Sequence, residues 1–100
     1  MATIFLLRNV MKSAIADLML ERARQDSLWG QQDHEAIVWL GILTEEVGEL
    51  AQQIIESTIF NHRQVEEYNF ESMREEAVQV AAVALALVEC LDRNKDKYTK

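Results

Sequence analysis

Hydrophobic residues recur along this chain at steps of three and four, the period of α-helices packed on one face. From Val10 onward, Met11, Ala14, Ile15, Leu18 and Met19 form one stripe, and Lys12, Asp17, Glu21 and Arg22 lie mostly off it. The pattern predicts a first helix over about residues 10–26. The consecutive Ile4, Phe5, Leu6 and Leu7 fit either an earlier start of that helix or an extended N-terminal arm over residues 1–9. Ser27 to His34, with Gly30 and a polar run, reads as the connection that ends it. There Trp29 is expected to anchor inward, and Asp33 to cap the helix that follows.

A second helix is predicted over about 35–57. Leu40, Leu43, Thr44, Val47, Leu50, Ala51 and Ile54 make one seam, and Glu45, Glu46 and Glu49 fall on the opposite arc at 100° per residue. Val38, Trp39 and Ile42 share the acidic arc one turn toward the N-terminus, so this arc reads as one that meets another helix. Gly48 stands among the acids, where glycine costs up to ~1 kcal/mol relative to alanine. Close approach of a ligand and close helix–helix packing would each account for it.

Residues 58–70 show no clean period and are expected to form a connection, with a helical turn around Val65. The third helix starts within 70–73, with Ser72 and Glu75 in capping-box spacing and Asn69 as the competing cap, and ends at about 92–94. From Ala77 to Val88 it is apolar on every side apart from Gln79. A helix of that kind has to be surrounded. Three or four helices rarely suffice, so a homo-oligomer centred on this helix is expected. Residues 94–100 form a charged tail. The sum is one all-α domain over 1–100, completed by homo-oligomerisation.

Composition supports helix and narrows function. There is no proline and there are 3 glycines, too little turn chemistry for a β-rich fold. The net charge of -7 argues against a nucleic-acid polymer as partner, because phosphate backbones are bound by basic patches. Cys90 is the single cysteine, so no internal disulfide is expected. It reads as a packing residue in a reducing, cytoplasmic compartment. No secretory leader pattern is visible, and nothing reaches the ~18 apolar residues of a membrane span.

The acids carry the chemistry. Glu46 and Glu49 are neighbours on one helix face, and Glu76 and Gln79 repeat the spacing on the next long helix. Like charges so placed repel unless a cation sits between them. Two antiparallel helices carrying such pairs make a cage of oxygens suited to magnesium, which retains positions for substrate phosphates. The competing reading is a solvated face, the usual fate of a helical Glu pair. No glycine-rich phosphate loop and no Ser-His-Asp pattern supports another chemistry, and His34 and His62 lack partners for zinc.

Glu46-Val47-Gly48-Glu49, followed after 26 residues by Glu76-Ala77-Val78-Gln79, resembles the signature of the all-α nucleoside triphosphate pyrophosphatases of the MazG-like superfamily. That signature is Glu-x-x-Glu and then Glu-x-x-Asp on the next long helix. The segment Glu21 to Gln32, with Arg24-Gln25-Asp26 and Trp29-Gly30-Gln31-Gln32, is similar to the lead-in of small phage-type members, and Glu75 to Val83 to their third helix. The likeness spans about residues 15–93. It implies a MazG-like helical bundle, working as a homodimer or homotetramer. It also implies cleavage of a nucleoside triphosphate between its α- and β-phosphates, giving the monophosphate and pyrophosphate. Magnesium would be the cofactor, with manganese as the alternative ion.

Carried over by position, Glu46, Glu49 and Glu76 are the metal ligands and Gln79 takes the fourth position. Gln79 departs from the superfamily's Asp. Its amide can ligate magnesium but brings no charge and cannot act as a base, and a buried amide paired across the oligomer is the competing role. Glu45 and Glu75 are the candidate bases for an ion-activated water. Trp29 and Trp39 are candidates for stacking on a base, with core packing the alternative. Arg74, Arg93, Lys95 and Lys97 are candidates for phosphate contacts, with a surface role the alternative. Beside the enzyme stand two rivals: a MazG-like oligomer that binds a nucleotide or protein with little or no turnover, and a plain helical interaction module.

Overall fold

The computed structural model describes residues 2–58 and 69–99. They form α1 (Ala2–Trp29), α2 (Ala36–Thr58), α3 (Phe70–Arg93) and a short α4 (Lys95–Tyr98), with no strand among the described residues. None of these helices is long and apolar enough to cross a membrane. The expected connection and its turn at Val65 lie mostly outside the described residues, as does His62.

The first helix is longer at both ends than its hydrophobic period suggests. It begins at Ala2, so the segment read either as arm or as helix is helical. At the other end it passes Asp26 and stops at Trp29, because Gly30 turns the chain with φ +69°. In that left-handed conformation the Gly30 N–H still donates to the Asp26 carbonyl at 2.8 Å, which closes the last turn. Trp29 therefore sits on a helical surface and is 57 % exposed, not anchored inward.

Asp33 does not cap α2. The Glu35 carbonyl accepts from the N–H groups of Val38 and Trp39 at the start of that helix. Asp33 instead accepts from Gln31 Nε2 at 2.9 Å, and from Arg93 Nε and Asn94 Nδ2 at 3.1 Å each. The hydrogen bonds from Gln31, Arg93 and Asn94 hold its carboxyl down at about 2. The charged tail is thus partly ordered as α4, and it faces the α1–α2 connection through a Lys97–Glu35 ion pair. At the head of α3, Asn69 is the cap, its Oδ1 accepting from the Ser72 N–H at 3.2 Å.

The core follows the third helix. Trp39, at 2 % exposure, packs with Val83, Ala86 and Cys90, and Ile42, Leu43 and Leu87 border them. Cys90 is buried, its Sγ 3.7 Å from the His34 carbonyl, in keeping with a packing role. The alanines of α3 allow close approach, and both α1 and α2 lie against it. Among the described residues the α1 and α2 backbones do not meet each other. Arg22 ties α1 to α3 through Glu89 (Nε–Oε1 3.1 Å), and Arg74 does so through Asp17 (Nη2–Oδ2 2.7 Å).

This arrangement decides which face of α2 is inside. Trp39 and Ile42, on the acidic arc, pack toward α3, whereas Leu40, Val47 and Ile54 of the opposite seam are exposed. Only Leu43 of that seam borders the core cluster. The Trp39–Ile42 part of the acidic arc therefore meets another helix, while Val38, Glu45 and Glu49 on the same arc are exposed. Met11, Ile15 and Met19 of the α1 stripe are likewise exposed.

Candidate metal centre

Because α2 turns its acidic arc toward α3, the carboxylates of Glu46 and Glu49 meet that of Glu76. One oxygen from each lies within 4.8 Å of the other two. Spacing on each helix supplies neighbours on one face, and the α2–α3 packing brings the two faces together. Glu46 Oε2 and Glu76 Oε2 are buried and have no hydrogen-bond partner. An orphaned buried carboxylate oxygen is costly unless a cation or a proton satisfies it.

The protonation equilibria carry the same strain. Burial, then the charges of Glu49, Glu76, Glu45 and Glu21, push the Glu46 carboxyl above its ordinary value of 4.5. Burial also raises Glu76, together with the charges of Glu49 and Glu75 and a hydrogen bond with Glu49. A fully solvated acidic face would not bury the Oε2 atoms of Glu46 and Glu76, although Glu49 of the same cluster is exposed.

The donor set fits a small hard cation. Magnesium holds oxygens at about 2.0–2.1 Å, so two of its ligands stand roughly 3 Å apart in adjacent positions and about 4 Å in opposite ones. The oxygens of Glu46, Glu49 and Glu76, all within 4.8 Å of one another, are spaced close to that range. No family model matches this chain, and no curated protein or solved structure does either.

The remaining candidates distribute unevenly around the cluster. Gln79 is partly buried on the wall of a cleft of about 250 Å³ between α1, α2 and α3, which Glu46 also lines. Glu45 and Glu75 are exposed and lie outside the cluster, although their charges are felt at Glu46 and Glu76 respectively. Trp29 and Trp39 both line the cleft; Trp39 does so as a core residue, and its Nε1 has no partner. Gly48 stands in open space, since a Cβ built there meets nothing within 4 Å. The packing reading of this glycine is not met among the described residues.

Three of the four cations chosen from the sequence are engaged in ion pairs elsewhere. Arg74 pairs with Asp17, Lys97 with Glu35, and Arg93 with Asp33 and the Gln32 carbonyl. None of these lines the cleft. Glu21 and Arg24 of α1, which the sequence reading places in the lead-in segment without a role, do line it. Their signal in the sequence is an i, i+3 ion pair, which any surface helix could carry.

The raised carboxyls give a prediction for stability. Between 4.5 and the higher folded values of Glu46 and Glu76, the folded chain binds more protons than the unfolded one. Stability of the metal-free protein conferred by these two groups therefore falls as pH rises through that window, and stays low above it. Magnesium needs the deprotonated form and should reverse the slope. Melting curves from pH 4.5 to 7.5, in chelator and in magnesium, are expected to diverge as pH rises, and the double variant E46Q/E76Q to show no divergence.

Proposed function

We propose that this chain is a magnesium-dependent nucleoside triphosphate pyrophosphohydrolase of the MazG-like type, acting as a homo-oligomer. The observation that carries this reading is the convergence of Glu46, Glu49 and Glu76, two of them with orphaned oxygens, beside an interhelical cleft that Glu46 lines. The resemblance of the two helix motifs supplies the reaction type, and the geometry supplies a reason for those motifs. Exposed apolar residues on α1 and α2, among them Met19, Leu40, Val47 and Ile54, support an assembly that covers them.

Glu46, Glu49 and Glu76 would hold the ion, with the Gln79 amide at the fourth position. The ion would neutralise the phosphates and favour attack of a water on the α-phosphorus. The bond from that phosphorus to the bridging oxygen breaks, and pyrophosphate leaves. Glu45 or Glu75, exposed beside the cluster, would accept the proton released by the water. Trp39 and Ile42 form apolar wall in the cleft and would exclude water from the far side of the nucleotide.

Gln79 favours a second reading, a relative that binds nucleotide with little turnover, because an amide supplies neither charge nor a base. Pyrophosphate release from a panel of ribo- and deoxyribonucleoside triphosphates, with magnesium and with chelator, tests the first reading. Magnesium-dependent release is the expected result. Nucleotide binding in calorimetry without release would leave the second, and absence of both would sink the pair.

A further inference from the structure

We infer that Arg24 is the cation that receives the polyphosphate in this cleft, held in place beforehand by Glu21; the inference rests on the reading of the acid cluster as an ion site. A polyphosphate drawn to three carboxylates and one divalent ion still faces excess negative charge, so the cleft has to supply a cation. Among the described residues that line it, Arg24 is the only basic one. It stands on α1 and lines the cleft together with Glu46 of α2 and Gln79 of α3.

The guanidinium is oriented before any ligand arrives. Its Nε and Nη2 donate to the two oxygens of Glu21 at 2.7 Å each, a forked pair within one helical turn. Glu21 is itself fixed, accepting from Gln25 Nε2 at 3.1 Å, and its side chain is 13 % exposed against 51 % for that of Arg24. The Arg24 Cζ also lies 6.0 Å from the centre of the Trp29 ring. The acid is thus the buried, anchored member, and the cation is its exposed partner lining the cleft. A planar fork that binds a carboxylate in two places binds a phosphate in the same manner. On this assignment the incoming phosphate displaces Glu21 from Arg24.

Displacement makes the two partners respond in opposite directions, which a purely structural salt bridge would not do. The probe is inorganic tripolyphosphate with magnesium, titrated by calorimetry into wild type, R24Q, R24K, E21Q and the double variant, with magnesium alone titrated into each. R24Q is expected to weaken tripolyphosphate binding about tenfold, and R24K to recover part of that loss. E21Q, which frees the guanidinium, is expected to tighten it about threefold, and the gain should vanish in E21Q/R24Q. Equal affinity in wild type and R24Q, or a gain from E21Q that persists without Arg24, would overturn the assignment. Were wild type to bind neither magnesium nor tripolyphosphate, the reading of the acid cluster would fall as well. Retained magnesium binding with an unaltered R24Q would remove Arg24 alone.

Discussion

Glutamine at position 46, 49 or 76 is expected to lower magnesium-dependent pyrophosphate release at least ~100-fold, the scale on which ligand and charge-stabilising groups act. The same substitutions should have the opposite effect on the empty protein. Each removes one charge from a cluster whose members lie within 4.8 Å of one another and in which Glu46 and Glu76 carry buried, unpartnered oxygens. In chelator the E46Q protein should melt above wild type, and magnesium should no longer raise its melting temperature. Activity and thermal denaturation measured on the same preparations check both halves. An E46Q protein that melts lower than wild type in chelator would mean that the carboxylate is a structural partner rather than a strained ligand.

The second large effect is a gain. Q79D places a carboxylate where the superfamily's motif has one, and is expected to tighten magnesium about tenfold and to raise turnover by a similar factor. It adds another acid to the wall that Glu46 lines, so the metal-free protein should lose stability as the loaded one gains it. Calorimetry with magnesium and steady-state pyrophosphate release read the two terms separately. A Q79D protein with unchanged magnesium affinity would show that position 79 does not face the ion, and would leave the buried-amide role for Gln79.

The parts of the fold that could be read from sequence are those written in local periodicity. The second and third helices and the packing role of Cys90 follow from spacing and residue type within a few positions, whereas the choice between Ser72 and Asn69 as cap of the third helix stayed open. The acidic arc of α2 was also legible as an inward face in part, because Trp39 and Ile42 share it. What was not legible depends on where elements meet. The extent of α1 was underestimated because Ile4 to Leu7 are consecutive and give no period, and because Gly30, not the polar run, ends the helix.

Arg93 and Asp33 illustrate the same limit at the site. Each was assigned a role from its own neighbourhood, phosphate contact for one and helix cap for the other. In the fold they pair with each other across 60 positions of chain. Glu21 and Arg24 were given no role for the converse reason. Their pairing is local and ordinary, and only the seating of α1 on α3 turns it toward the cleft. The identity of a motif residue can be read from sequence, but which cation it faces is a property of helix packing.

Since the α1 and α2 backbones each lie against α3 and, among the described residues, not against one another, a molecule that grips Arg24 at one end and the glutamates at the other would link them directly. Occupancy would then be felt along two whole rods at once. Backbone amides of α1 far from any ligand atom should exchange more slowly with solvent deuterium once magnesium and tripolyphosphate are bound, and the slowing should disappear when either end of the bridge is cut.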